Sequence, residues 1–286
     1  MTGRNAIEIR GISKSFGSHC VLDNIDADIE AGQTVAFVGP SGCGKSTLLN
    51  CIVGTLSPSS GTISVWNDAK ERPVPVDGPG RDRGIVYQRY SLFPHLTAIA
   101  NVAFGLMLDE TSVGFRCLHP LRWRRLKHLH FEKAAAMLEK VGLGEAKDKY
   151  PGELSGGMCQ RVAIAQALVM RPRVLLMDEP FGALDEATRE SLQRLMLQLY
   201  QENLEARAEG LHPPHTVIIV THEIEEAIFV GDRIIALSQV GRESKGARIV
   251  YDERQPVFSP ESPKDRLRIA SIKDSVVKTA FQSDES

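Results

Sequence analysis

The first part of the chain alternates apolar and polar positions in the manner of half-buried strands. Residues 7–12 predict one strand, and residues 24–29 alternate polar and apolar side chains in the next. A period of two is typical of an antiparallel strand with one face on a core. Residues 34–38 read TVAFV, a continuous apolar run that favours a strand buried on both faces. A glycine-rich loop follows, and residues 45–53 then predict a helix that ends at Gly54.

The pattern changes over about residues 91–150, where β-branched runs become scarce. Residues 98–106 and 131–141 predict helices. The stretch between them, residues 111–130, is basic and irregular, and its apolar stripe is too broken to predict an amphipathic helix. The chain therefore carries a mainly helical segment inside an otherwise mixed pattern.

After Pro151 the alternation of strands and helices returns, which predicts a parallel sheet covered on both faces. The helix after Glu186 carries its leucines on one face. From Glu253 onward proline, serine and charged residues dominate, and we expect the last dozen residues to be disordered. The short apolar strands predicted in this half are residues 174–177, 216–220 and 233–237.

Composition narrows the class of protein. The chain has 286 residues with 34 Lys and Arg against 36 Asp and Glu, so no global charge draws it to nucleic acid. The five cysteines are scattered without zinc spacing, which favours a reducing cytosol over a disulfide framework. The chain starts without a signal-peptide core and contains no run of 18 apolar residues, so we expect a membrane role only through a partner.

The loop after the buried strand reads GPSGCGKST over residues 39–47 and fits the phosphate-loop pattern GxxxxGK[ST]. Gly42 and Gly44 can take backbone angles closed to other residues, which turns successive amides toward phosphate oxygens. Lys45 is expected to reach the β- and γ-phosphates, and the Ser46 hydroxyl to ligate Mg²⁺. A glycine-rich turn without a ligand is the alternative. The expected nucleotide-binding residues here are Gly39, Pro40, Ser41, Gly42, Cys43, Gly44, Lys45, Ser46 and Thr47.

Two carboxylates follow the predicted strand at 174–177. Asp178 and Glu179 would lie at the carboxyl edge of the sheet, where α/β folds bind ligands. Beside a phosphate loop, Asp178 is expected to hold Mg²⁺ and Glu179 to orient and polarise the attacking water. The alternative is that both residues merely begin a turn before Pro180.

A second helix start of the anion-binding kind lies in LSGGMCQR, residues 154–161. Ser155 and two glycines open a predicted helix that runs to about Leu168. The spacing alone does not say whether this start and the phosphate loop serve different nucleotides.

With these motifs in this order, residues 7–251 resemble the ATP-binding subunits of ABC transporters, and LSGGMCQR resembles the signature motif of that family. The resemblance implies an α/β P-loop NTPase fold, with a RecA-like and mainly parallel sheet, an N-terminal antiparallel β subdomain and an inserted helical signature subdomain. It also implies a head-to-tail homodimer in which each ATP lies between the phosphate loop of one copy and the signature of the other. Ser155 and Gly157 would contact the γ-phosphate across that interface, with Gly156 in the same binding set.

The resemblance assigns four more positions. Gln88 matches the glutamine that senses Mg²⁺ and water and faces the permease, and Asp185, in Ala-Leu-Asp, matches the D-loop. His222 matches the switch histidine, which contacts the γ-phosphate and positions Glu179; with Lys45 these are the expected catalytic residues. Phe16 stands where an aromatic ring stacks on adenine. Each of these residues, taken alone, has a simpler interpretation: Gln88 is a polar loop residue, His222 a structural histidine and Phe16 a core residue.

The implied domain organisation is an ABC ATPase domain over residues 5–252, with a helical subdomain at about 91–170 that contains a basic insertion at about 111–130. Residues 253–286 form a C-terminal extension that is partly disordered. The insertion carries five cations and has three possible roles. It is a solvated loop, a contact with the permease, or a contact with anionic lipid headgroups. The cations are Arg116, Arg122, Arg124, Arg125 and Lys127.

The function implied is that of an ATP-hydrolysing subunit bound to transmembrane permease subunits on the cytoplasmic face of the inner membrane, and indirectly to a solute-binding protein. The stretches PFGALDEATRESLQ and GPSGCGKSTLLNCIVG resemble importers of nitrate, sulfonate or taurine. The alternatives are a soluble ABC-type ATPase that acts on nucleic acid or ribosomes, a P-loop kinase, and a non-hydrolysing regulatory subunit. A nucleic-acid partner is not expected.

Overall fold

A computed structural model describes residues 4–67, 70–89, 91–182, 184–238, 246–259 and 265–281. Its internal contacts divide the chain into two compact units. The first consists of Met1–Ile85, Arg173–Pro180 and Gln193–Ser286, and the second of Val86–Pro172 and Phe181–Leu192. No helix in the described part of the chain is long and apolar enough to cross a membrane.

The strands are β1 (Asn5–Phe16), β2 (His19–Glu30), β3 (Thr34–Val38), β4 (Ser60–Asn67), β5 (Arg72–Pro75), β6 (Arg83–Val86), β7 (Val174–Asp178), β8 (Thr216–Val220), β9 (Arg233–Leu237) and β10 (Ile249–Arg254). The helices are α1 (Lys45–Val53), α2 (Ala98–Glu110), α3 (Val113–Leu118), α4 (Pro120–Lys140), α5 (Gly156–Leu168), α6 (Glu186–Ala208), α7 (Ile224–Val230) and α8 (Arg266–Phe281). Two 3₁₀ turns lie at Gly144–Ala146 and Pro151–Glu153.

The first unit contains two sheets. One is a four-stranded antiparallel sheet in the order β2-β1-β4-β5, and it includes the two strands that alternation predicts at the start of the chain. The other has six strands in the order β10-β9-β3-β8-β7-β6. In it β3 pairs in parallel with β8 and β9, and β7 pairs in parallel with β8. The mainly parallel sheet and the antiparallel β subdomain are thus confirmed.

The centre of the six-stranded sheet is buried because its strands carry almost no polar side chains. Every residue of β3 and β8 is buried, in keeping with their continuous apolar sequences. Parallel pairing places the carboxyl ends of β3, β7 and β8 at one edge of the sheet. The sequence after each of these strands therefore meets its neighbours at that edge.

The second unit is mainly helical, and α2 packs against α4 and α5 within it. Asn101 on α2 is fully buried, and its amide donates to the main-chain carbonyls of Phe93, Leu96 and Thr97 while its oxygen accepts from the Phe93 amide. A buried amide that is satisfied in this way fixes the loop that leads into the helix. Thr97 caps the same helix through a bond from the Ala100 amide.

The basic stretch at 111–130 is helical, and the expectation of irregular structure there is wrong. Ser112 caps α3 by accepting the Phe115 amide, and Pro120 stands at the first position of α4, where a missing N–H leaves no bond unmade. His130 and Ala134, four residues apart, are buried on the inner face of α4. The apolar stripe looks broken in sequence because a histidine occupies one of its inner positions.

The tail also differs from expectation, since α8 continues to Phe281 and only residues 282–286 lie outside the described chain at this end. α8 packs on α7 and β10, with Val276 and Ala280 buried. The Phe229 and Phe258 rings lie 5.2 Å apart nearby. The sequence does not predict the short strand β5, because it has proline at its second and fourth positions and proline argues against a strand interior.

A half-buried carboxylate just before β9, Asp232, makes the stability of the first unit depend on pH. Asp232 accepts the Thr34 amide at 3.0 Å, and burial raises its pKa to about 6. The unfolded chain ionises this group near its ordinary value, so the folded state binds more protons between about pH 4 and pH 6. Stability from this group is present below that window and is lost as pH rises through it.

We predict that Asp232→Asn, which keeps the acceptor oxygen, abolishes this pH-dependent loss. In wild type the loss amounts to up to about 3 kcal/mol of the free energy of unfolding. Urea unfolding at pH 4 and pH 7 measures it. The variant should match wild type at pH 4 and exceed it at pH 7, whereas Asp274→Asn at an exposed position should follow wild type at both. Parallel pH profiles for wild type and Asp232→Asn would contradict the prediction.

Candidate functional site

The loop from β3 to α1 has a backbone that glycine makes possible. Gly42 and Gly44 take φ values of 80° and 97°, in the left-handed region that residues with a Cβ rarely adopt. A Cβ at Gly44 would lie 2.8 Å from Val21 Cγ1 and 2.9 Å from Leu22 Cδ2. Position 44 thus requires glycine for conformation and for space, and the loop packs directly against β2.

Lys45, the first residue of α1, is buried beneath the loop. Its Nζ donates to the carbonyls of Gly39 at 2.8 Å and Pro40 at 2.9 Å, and it lies 3.8 Å from Cys43 Sγ. Burial raises the pKa of the Cys43 thiol, so this neighbour is a neutral and weak partner. The ammonium can therefore exchange that weak contact for a phosphate oxygen while it keeps its bonds to the loop.

Ser46 and Asp178 meet although 132 positions separate them, because β3 and β7 end at the same edge. The Ser46 hydroxyl donates to Asp178 Oδ1 at 2.9 Å. Burial is the largest cause that raises the pKa of Asp178, and the Glu179 charge adds to it, against the Ser46 bond and the Lys45 charge. A cation beside a carboxyl group whose pKa is raised in this way would stabilise its ionised form.

These oxygens fit Mg²⁺, which prefers oxygen ligands and keeps waters or phosphate oxygens in the rest of its shell. The described residues contain no group of three or more His, Cys, Asp or Glu that could hold a metal by itself. A hydroxyl and a carboxylate at the edge of a phosphate loop match a cation that is bound mainly together with a nucleotide.

Glu179, the first residue after β7, is held in a strained conformation. Its φ is 47°, a left-handed value that is uncommon for a residue other than glycine. Its amide donates to the Val220 carbonyl at 2.8 Å, which ties the ends of β7 and β8 together. Thr221 in turn donates its amide to the Phe37 carbonyl at 3.1 Å, which joins β8 to β3. These main-chain bonds were not predicted, because they involve no particular residue type.

His222, two residues past β8, contacts the same glutamate. Its Nδ1 lies 3.1 Å from Glu179 Oε1, and its Nε2 lies 3.6 Å from Glu223 Oε1. Both the His222 and Glu179 side chains are partly exposed, so the pair faces the solvent side of the sheet edge. The resemblance predicts that His222 positions Glu179, and the structure brings the two side chains together.

Phe16 ends β1, and half of its surface is exposed, at 51%. The Lys14 ammonium lies 5.2 Å from the centre of its ring. The ring therefore has an accessible face for stacking, as the adenine prediction requires. The alternative that Phe16 belongs to the core does not agree with this exposure.

The remaining predicted site residues lie in the second unit. Ser155 caps α5 by accepting the Met158 amide at 3.3 Å, and both Ser155 and Gly156 are exposed. Asp185 accepts the Thr188 amide at 3.1 Å, and this bonding lowers the pKa of its carboxyl. Gln88 is exposed two residues after β6, and Ala183 of the predicted D-loop lies outside the described residues.

Gly157 is buried against α6 in the same unit. A Cβ at this position would lie 2.1 Å from Thr188 Cγ2. The second glycine of LSGG is therefore required by helix packing, independently of any ligand. Thr188 was not predicted, since a threonine on a helix surface gives no signal in sequence.

A family model described as ABC transporter matches residues 22–182. Nitrate import ATP-binding protein NrtD of Synechocystis sp. is 43% identical over 236 residues, which cover 81% of this chain and 77% of that protein. Bicarbonate transport ATP-binding protein CmpC of Synechococcus elongatus is 39% identical over 87% of this chain, but the match spans only 34% of CmpC. Sulfate/thiosulfate import ATP-binding protein CysA of Pseudomonas syringae pv. tomato is 40% identical, over 82% of this chain and 65% of CysA.

Two solved structures are also similar, and both are dimers. The dimer of MJ0796, a bacterial ABC transporter cassette, has a TM-score of 0.67 and 29% identity, and covers 88% of this chain and 100% of that one. A post-hydrolysis dimer of the same cassette, bound to ADP and Pi, has a TM-score of 0.66 with the same identity and coverage.

We predict that Gly157→Ala destabilises the protein by about 1–3 kcal/mol through overpacking against Thr188. In a Thr188→Ala background the loss should be smaller, because the contact with Cγ2 is gone while the Cβ of residue 188 still lies 3.0 Å from the added Cβ. Urea unfolding of the four proteins in this double-mutant cycle measures the coupling. Equal losses in both backgrounds would show that this contact does not decide the effect.

Proposed function

The chain belongs to the ABC transporter family, and on that basis we propose that it is the ATP-hydrolysing subunit of a membrane importer. One observation carries the proposal. At one edge of the parallel sheet, Ser46 bonds to Asp178 and Glu179 bonds to His222, directly beside the loop that holds Lys45. This is the arrangement that phosphoryl transfer to water needs: a cation, a metal site and an oriented carboxylate.

ATP would be held by the chain through several different forces. Lys45 and the loop amides bind the phosphates, and the start of α1 adds its positive dipole end. Ser46 and Asp178, with Gln88, would hold Mg²⁺, which when bound neutralises charge on the β- and γ-phosphates. The exposed face of Phe16 offers stacking for the adenine.

Glu179 acts on the attacking water in this proposal. The backbone bond to Val220 and the contact with His222 fix the direction of its carboxylate, so little reorganisation is needed when charge develops. His222 keeps the glutamate in place and contacts the γ-phosphate. Lys45 stabilises the charge that builds up on the transferred group.

A homodimer completes the site. Ser155 and Gly156 present an exposed, capped helix start, which suits an anion brought by another molecule. We place the ATP of one copy against Ser155, Gly156 and Gly157 of the other, with Asp185 at the same interface. The dimeric state of the similar MJ0796 cassette supports this assembly.

We propose that residues 5–252 form the ATPase domain, that about 91–170 form its helical subdomain, and that 253–286 form a C-terminal extension.

The proposed partners are transmembrane permease subunits, contacted near Gln88 at the cytoplasmic face, and indirectly a solute-binding protein. Nitrate, bicarbonate and sulfate in the names of the relatives support a small oxyanion as cargo, with sulfonate or taurine as related candidates. The chain spans about a third of CmpC and 65% of CysA, so functions of their remaining parts are not carried over.

The alternative function, that of a soluble ABC-type ATPase that acts on nucleic acid or ribosomes, is not favoured. The chain has a net charge of −2, whereas nucleic-acid binding rests on cations that neutralise phosphates. Two of the relatives, NrtD and CysA, are named as import ATP-binding proteins.

We predict that Glu179→Gln lowers ATP turnover by about 100-fold or more while ATP binding is kept, because the amide preserves shape but cannot accept the proton of water. Turnover is measured by phosphate release, and binding by a fluorescent ATP analogue. With hydrolysis blocked, the ATP-loaded variant should run as a dimer in size-exclusion chromatography. Glu145→Gln, at an exposed position, should behave as wild type, and wild-type turnover in Glu179→Gln would refute the role of Glu179.

We predict that Lys45→Ala weakens ATP binding by about tenfold or more, since a charge-assisted bond to phosphate contributes about 1.5–3 kcal/mol. Titration calorimetry with ATP measures the change. Lys70→Ala removes an exposed lysine from the same unit and should bind ATP normally. Unchanged affinity in a folded Lys45→Ala protein would remove the phosphate loop from the proposal.

A further inference from the structure

The second unit carries a surface of unusual charge, formed by α3 and the first half of α4. We define the basic segment as residues 111–131. It contains no aspartate or glutamate, although acidic residues outnumber basic ones in the whole chain. Its five cations are Arg116, Arg122, Arg124, Arg125 and Lys127.

Part of the basic segment is fixed to the body of the unit. Arg116 donates to the Met107 carbonyl at 2.6 Å and to the Thr111 hydroxyl at 2.9 Å, and its guanidinium lies 4.8 Å from the Trp123 ring centre. His130 is fully buried, with its Nε2 3.0 Å from Glu110 Oε2. These contacts hold the segment as a defined helical surface.

Three arginines of the basic segment take no part in those contacts. Arg122, Arg124 and Arg125 are exposed, and no hydrogen bond or ion pair joins them to another residue in the described part of the chain. Exposed cations that form no ion pair create a local positive potential that attracts anions. Glu132, the first carboxylate that follows the segment in sequence, lies 3.5 Å from His128.

Large aliphatic side chains stand among these arginines. Leu118 and Leu121 are 77% and 83% exposed, and Val113 and Leu129 are exposed as well. Leu121, Arg125 and Leu129 follow each other at four-residue intervals and so share one face of α4. An open groove of about 400 Å³ runs along it, lined by Leu121, Arg124, Arg125, His128, Leu129 and Glu132.

We propose that the basic segment binds the surface of a bilayer that contains anionic lipids, with the arginines at the headgroups and the leucines in the interfacial layer. Exposed aliphatic side chains interleaved with unpaired cations are what such a surface favours. Phosphate groups of nucleic acid would satisfy the arginines but not the leucines. An acidic segment of a membrane protein is the competing partner, which the experiment below distinguishes. The proposal requires neither ATP nor a permease.

The test is co-sedimentation of the full chain with vesicles of phosphatidylcholine alone or of phosphatidylcholine mixed with phosphatidylglycerol. We expect binding only to the mixed vesicles, and weaker binding at high salt. The triple variant Arg122→Gln, Arg124→Gln, Arg125→Gln should lower the partition coefficient by about tenfold or more. The charge-matched control Lys70→Gln, Arg72→Gln, Lys278→Gln removes three cations elsewhere and should bind as wild type.

A second pair of variants tests the apolar part. Leu118→Ser with Leu121→Ser should also weaken binding, whereas Leu211→Ser, at an exposed leucine outside the segment, should not. All variants should keep the wild-type unfolding curve and basal ATP turnover, so a loss of binding is not a loss of fold. The proposal is overturned if wild type does not bind the mixed vesicles better than the phosphatidylcholine vesicles, or if the arginine variant binds like its control. An acidic segment of a membrane protein as the true partner predicts the first of these results, because neither kind of vesicle contains protein.

Discussion

The hydrogen bond from the Glu179 amide to the Val220 carbonyl is the contact on which the candidate site depends. It joins the ends of two parallel strands, and the Thr221 amide extends the connection to Phe37 on the central strand. Because those strands are buried throughout or nearly so, their relative positions are fixed by the core. The buried strands therefore also fix the positions of the side chains at their ends, which is why Ser46 meets Asp178 and His222 meets Glu179.

Much of this architecture can be predicted from the sequence where one physical rule dominates. The continuous apolar runs at β3 and β8 predict buried parallel strands, and the glycine-rich loop predicts the start of α1, because few sequences satisfy those constraints otherwise. The pairing of Glu179 with His222 came from family resemblance, since 43 positions separate the two residues and no local pattern links them.

Prediction failed where tertiary contacts override local pattern. The helix over the basic segment is stabilised by the buried His130 and by the stacking of Arg116 on Trp123, and neither contact can be read from apolar periodicity. The clash that reserves position 157 for glycine depends on Thr188, which lies on another helix. The left-handed backbone of Glu179 is likewise imposed by its neighbours in space, not by its own preference.

That backbone has a consequence for how the protein can change over time. Selection for thermal stability alone would favour glycine or asparagine at position 179, because both tolerate a left-handed conformation better than glutamate does. Either replacement would relieve local strain and abolish the carboxylate on which water activation is proposed to depend. Stability and activity therefore favour different residues at position 179, and the glutamate found there is the residue that activity requires.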